Sequence, residues 1–216
     1  MFLHFTEDSY EKALIGLFQS MGYEYAYGPD IERNYQEPYY LNQVWASLPI
    51  VNPSKHQNAI AEAIKKLTNI DSGDLAQKNG IFMDYLQNGI PVAYHDGKEI
   101  RHDIVYLIDY ENIYRNTFQI INQWTYVEKS EKRADLIVFV NGLPLVLIEL
   151  KSPSREETDA SAAYRQIKNY MFEIPSMFTY NAFCVMSDMM CSKAGTITSS
   201  EDRFMEWKTK DGSYES

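Results

Sequence analysis

With 216 residues, 45% of them hydrophobic and 23% charged, the chain is long enough for one ordinary folded domain with a sizeable core. No apolar run reaches the ~18 residues of a membrane span, the start does not read as a signal peptide, and two cysteines cannot build a disulfide framework. The expected address is the cytoplasm. Twenty basic against 30 acidic residues leave a net charge of −10, a poor balance for gripping nucleic acid unaided. That excess is uneven. Residues 129–170 hold seven basic and six acidic side chains, so the acidity lies outside this window, where it can serve solubility or a protein partner.

Thr6 is a candidate N-cap for a first helix carrying Tyr10, Ala13, Leu14, Leu17, Phe18 and Met21, stopped by Gly22. A Tyr-rich stretch from Glu24 to Tyr40 shows no period. Ser54 and Gln57 form a capping-box pattern before a second helix with the stripe Ile60, Ala63, Ile64 and Leu67. A short helical piece, 81–87, closes at Asn88-Gly89. Strands are predicted over 90–95 and 100–108 around an Asp96-Gly97 turn. Further strands cover 118–127, 134–140 and 143–150, the last two flanking Asn141-Gly142. Pro153 breaks the strand, and Ser154 with Glu157 opens a helix that carries Ala160, Ala163, Tyr164, Ile167, Tyr170 and Met171 on one face. A buried strand, 180–186, precedes a polar tail in which Phe204 and Trp207 suggest a last short helix. The pattern predicts one domain over 1–216, of α+β or mixed α/β class.

The segment LPLVLIELK is the anomaly. Its apolar part should be buried on both faces, yet Glu149 and Lys151 follow, two apart and therefore on one face of a strand. Asp135 opens the neighbouring strand at the end remote from the turn. Two carboxylates crowded in a buried place raise each other's pKa unless a cation separates them. A divalent metal resolves the conflict, and Asp and Glu oxygens suit magnesium. The chemistry of such a site is metal-assisted phosphodiester hydrolysis. A plain Glu149–Lys151 ion pair at a sheet edge is the competing reading. Register separates the two. A two-residue turn at Asn141-Gly142 would place Asp135 opposite Ile148 and off the face of Glu149. A shared metal therefore predicts an odd-numbered loop or a β-bulge between turn and site.

Arg133-Ala134-Asp135 with Glu149-Leu150-Lys151 resembles the PD-(D/E)XK nuclease motif, with Ala134 in place of the motif's proline. The longer string ADLIVFVNGLPLVLIELKSP resembles the N-terminal nuclease region of the R subunits of type I restriction enzymes. FQIINQ at 118–123, Gln166-x-x-x-Tyr170, Ile174-Pro175 to Asn181, Ser187-Asp188 and RFMEWKT at 203–209 fit as well. The resemblance implies a restriction-endonuclease-like mixed β-sheet flanked by helices. It implies Mg²⁺ held by Asp135, Glu149 and the Leu150 backbone carbonyl, with Lys151 positioning water or stabilising charge. Gln166 and Tyr170 would support the site or touch DNA, although Tyr170 also lies on an apolar stripe. An additional acid from the first helix occurs in related nucleases; Glu11 is the candidate, with Glu7 one turn earlier. The four histidines are scattered and read as structural or exposed.

No G-x-x-x-x-G-K-[ST] loop is present, so ATP is not expected to bind this chain. The resemblance implies a fragment of a longer subunit whose missing motor domains use ATP. It implies double-stranded DNA as substrate, methyltransferase and specificity subunits as partners, and no membrane. The expected activity is DNA cleavage after translocation. The alternatives are a catalytically silent assembly domain of the same complex and a stand-alone repair or resolvase-type nuclease.

Overall fold

A computed structural model describes residues 6–151, 160–188 and 191–206. The expectations on Pro153, the Ser154–Glu157 box and Trp207 lie outside the described residues. The chain runs α1 (Glu7–Ser20), β1 (Glu24–Tyr27), α2 (Leu41–Val51), α3 (Gln57–Thr68), α4 (Leu75–Asn88), β2 (Ile90–His95), β3 (Ile100–Val105), β4 (Phe118–Val127), β5 (Glu131–Val140), β6 (Leu143–Leu150), α5 (Ala160–Glu173), α6 (Pro175–Thr179), β7 (Phe183–Ser187), β8 (Ser192–Gly195) and β9 (Met205–Glu206). Seven strands form one mixed sheet in the order β1-β4-β5-β6-β7-β8-β9. The β1–β4 and β6–β7 pairs are parallel and the other neighbours antiparallel. The β2–β3 hairpin stands apart as a two-stranded sheet. This is the expected mixed sheet flanked by helices.

Three apolar clusters hold the fold. On one face Trp124, Phe139, Leu147 and Cys184 meet Ile167 and Tyr170 of α5 and Phe178 of α6. On the other, Ile120, Leu136, Ile148 and Leu150 meet Ile15 of α1. The third joins α2, α3, α4 and the β2–β3 hairpin to Leu143, at the turn end of β5–β6. Burying β5 and β6 on both faces explains their continuous apolar runs.

The Asn141-Gly142 turn anchors that end. Both residues have positive φ, 52° and 81°, the conformation that two-residue hairpins favour. Asn141 is buried, donates to the Leu107 carbonyl at 2.8 Å and accepts the Thr117 N–H at 2.8 Å. A Cβ on Gly142 would lie 2.6 Å from the Tyr40 carbonyl oxygen, so only glycine fits.

Several local expectations need correction. The Tyr-rich stretch contains β1, whose pairing with the long β4 overrides its weak pattern. Helix α2 follows despite an internal Pro49. The cap of α3 is His56, whose Nδ1 accepts the Asn58 N–H, and not the Ser54–Gln57 box. Helix α4 starts six residues before the predicted piece, at an Asp74–Gln77 capping box. Leu17 and Met21 of the α1 stripe are exposed. Strand β3 stops at Val105, and β7 starts at Phe183 because Pro175–Thr179 forms a turn of helix just before it. Phe204 is buried, but it leads into β9 and not into a helix.

Candidate active site

A register defect places the acids. Val140 pairs with Leu143 and Phe139 with Pro144, so the turn has two residues; then Val138 pairs with Val146, leaving Leu145 as an extra residue. Beyond it Ile137 faces Leu147 and Leu136 faces Ile148. Continuing this register sets Asp135 against Glu149, on a common face. The β-bulge alternative of the sequence reading is the one that occurs.

Alternation also shifts beside Asp135. Ala134 and Ile137, three apart, enter the same cluster, as do Trp124 and Ile121 on β4. Between Asn122, paired with Leu136, and Trp124, paired with Ala134, stands Gln123 with φ 55°. Gly28 permits that distortion, because a Cβ there would lie 2.8 Å from the Asn122 and Gln123 carbonyl oxygens.

Asp135, Glu149 and Lys151 lie together. The Leu150 N–H donates to Asp135 Oδ2 at 2.9 Å. Lys151 Nζ donates to Glu149 Oε1 at 2.6 Å and to the Leu150 carbonyl oxygen at 2.9 Å. Glu149 is fully buried, and its Oε2 has no hydrogen-bond partner among the described residues. Burial pushes the Glu149 carboxyl up to about 8; Asp135 adds to this, and the Lys151 ammonium offsets only part. Burial likewise raises Asp135, against the pull of the Leu150 N–H and Lys151. The competing ion-pair reading is thus half right, since the Glu149–Lys151 contact exists but does not neutralise the site.

Gln166 and Tyr170 also meet the cluster. Gln166 Nε2 donates to the Tyr170 hydroxyl at 2.7 Å, and that hydroxyl donates to the Arg133 carbonyl at 3.1 Å. The Tyr170 ring packs in the core while its hydroxyl, raised first by burial and then by Glu149, turns to the carboxylates. The packing reading of this residue is borne out, and its hydroxyl bonds Gln166 and the Arg133 carbonyl.

Glu11 comes from α1, on the other face. Its two oxygens accept from Asn122 Nδ2 at 2.6 Å and Gln123 Nε2 at 2.8 Å, and its charge, like that of Glu7, reaches Asp135. Among the described residues no three His, Cys, Asp or Glu side chains stand close enough to hold a metal. Glu11 is held by the Asn122 and Gln123 amides, with its charge acting on Asp135 from α1. Tyr10 ties α1 to the far side of the cluster, its hydroxyl 2.6 Å from Ser187 Oγ, while the Ser187 carbonyl accepts the Lys151 N–H at 2.8 Å. Neither Asn122, Gln123 nor Ser187 was given a role from sequence. The available signal was an Asn-Gln pair directly after the apolar Ile120-Ile121 of β4.

Two carboxylates and a backbone carbonyl are hard oxygen donors, and they can hold a magnesium ion. The orphaned Glu149 oxygen needs a cation or donor, and the Lys151 ammonium already bridges two of the same oxygens. The residues fit the ion.

A mixed sheet with helices on both faces is a restriction-endonuclease-like architecture. The chain belongs to the family described as type I restriction enzyme R protein N terminus, which matches residues 4–203. It is 33% identical over 216 residues to the type I restriction enzyme HindI endonuclease subunit of Haemophilus influenzae. It is 32% identical over 208 residues to the putative type I restriction enzyme MjaIXP endonuclease subunit of Methanocaldococcus jannaschii. These matches cover 95% and 92% of this chain but 20% of each relative, so the chain spans about one fifth of their length. The type I restriction enzyme EcoprrI endonuclease subunit of Escherichia coli is 29% identical over 195 residues, covering 79% of this chain and 61% of that protein.

Proposed function

We propose that this chain is the Mg²⁺-dependent PD-(D/E)XK endonuclease domain of a type I restriction enzyme R subunit. One observation carries the reading: a fully buried glutamate, Glu149, beside Asp135, with one oxygen unpartnered among the described residues. Burying a carboxylate so is costly unless a cation completes its surroundings. Asp135, Glu149 and the Leu150 carbonyl would hold the ion. When bound, the ion supplies Lewis-acid polarisation of a phosphodiester oxygen. Lys151 is fixed by two oxygens of the same cluster and offers its remaining N–H to water or to the phosphoryl oxygens. Hydrolysis adds the water oxygen to phosphorus and breaks one P–O ester bond; water loses a proton and the leaving oxygen gains one. Gln166 and Tyr170 hold the wall of the site next to Arg133.

The substrate is duplex DNA. We assign ATP-driven translocation to other parts of the R subunit, with methyltransferase and specificity subunits as partners. The acidic charge of −10 supports a domain to which the complex delivers DNA. Calorimetric titration with Mg²⁺ or Mn²⁺ tests the site. Binding should be present in the wild type and lost in Asp135→Ala, whereas an inert docking domain shows none that depends on Asp135. In the assembled complex Lys151→Ala should abolish cleavage and leave ATP hydrolysis intact; cleavage that persists refutes the assignment.

A further inference from the structure

Gln123 is the one residue of β4 with a positive φ, and it stands opposite Asp135. A left-handed conformation at a residue with a side chain is unfavourable and persists only where its surroundings impose it. Here its consequence is visible. Side-chain alternation along β4 shifts at this point, and the Gln123 amide reaches one oxygen of Glu11 while Asn122 reaches the other. Tyr25 completes the clamp by donating its hydroxyl to Asn122 Oδ1 at 3.1 Å. The donors are neutral amides, and no ion pair to Glu11 occurs among the described residues.

We propose that Gln123, with Asn122, is a positioning residue: its left-handed backbone and amide fix Glu11 as a charged group near Asp135, outside the set of ligands, where it strengthens the field that draws a divalent cation. This rests on the metal-site reading above and deepens it. A fixed charge near a partly buried site should change cation affinity by roughly three- to tenfold.

Titration of the chain with Mn²⁺ alone, followed by calorimetry, and thermal unfolding of the metal-free protein test this. Gln123→Gly and Glu11→Gln should each weaken Mn²⁺ binding roughly three- to tenfold, and the double variant no more than either alone. Gln123→Gly should at the same time keep or raise metal-free stability, because glycine accepts the positive φ. Opposite signs for stability and affinity are not expected of a residue that merely supports the fold. Wild-type affinity in both variants, additive losses, or a Gln123→Gly chain that is destabilised while Glu11→Gln binds normally would each overturn the proposal. Absence of Mn²⁺ binding in the wild type would instead remove the metal-site reading, and this inference with it.

Discussion

Leu150 serves Asp135 with its N–H at 2.9 Å, while its carbonyl, at the other end of the same residue, accepts from Lys151 at 2.9 Å. One residue of backbone thus fixes a carboxylate and an ammonium on a strand whose side chain, Leu150, is itself locked in the core. The cluster therefore depends on strand geometry more than on flexible side chains.

The buried glutamate predicts a pH dependence of folding. Glu149 keeps its proton up to about pH 8 in the folded protein and releases it near 4.5 in its ordinary state. A raised carboxyl pKa contributes stability that is complete below the lower value and lost as pH rises through the upper one. At about 1.4 kcal/mol per pKa unit the loss is at most about 5 kcal/mol. Urea denaturation of metal-free protein at pH 5 and 8.5 should show lower stability at the higher pH. Glu149→Gln should flatten that difference. An equally steep profile in the variant would assign it to other groups.

Divalent ions should reverse that loss. A ligand that binds only the folded form stabilises by about 2.7 kcal/mol at a hundred times its Kd. Melting temperature at pH 8 should rise with Mg²⁺ in the wild type and stay constant in Asp135→Ala and Glu149→Gln.

Tyr170 separates packing from chemistry. Its ring fills the core and its hydroxyl joins Gln166 to Arg133. Tyr170→Phe should fold and lose about 1 kcal/mol, the worth of the hydroxyl's bonds, whereas Tyr170→Ala should lose about 3–5 kcal/mol. DNA cleavage by the complex carrying Tyr170→Phe should fall, whereas undiminished cleavage would confine the residue to packing.

The turn at the opposite end tests the scaffold. Gly142→Ala meets the Tyr40 carbonyl and needs an unfavourable φ. It should cost about 2 kcal/mol or more in denaturant unfolding. Because the site lies at the far end of the hairpin, Mn²⁺ affinity of the folded fraction should be unchanged.

Much of this was written locally. The apolar runs of β5 and β6, the Asn141-Gly142 turn, the α3 stripe and the α5 face follow from periodicity and turn chemistry, which act over a few residues. A common face for Asp135 and Glu149 was legible only as a condition, an odd-numbered loop or a bulge between turn and site, and the extra Leu145 meets it. Strand β1, with only four residues, draws its order from β4, nearly a hundred positions away, and no local pattern announces it. The tail likewise forms β8 by pairing with β7 and β9 by pairing with β8, leaving only a single 3-10 turn at Glu201–Arg203 before Phe204.

By itself, the sequence determined that Glu149 and Lys151 follow the apolar run of a strand buried on both faces and that Asp135 lies on the strand beside it, since alternation and hydrophobicity are properties of the segment. Tertiary structure alone decided that Leu145 is the extra residue, that Gln123 turns left-handed, and that Glu11 is held by amides on another strand. Those outcomes depend on which distant surfaces meet, and the free energy that selects them comes from contacts between residues far apart in the chain.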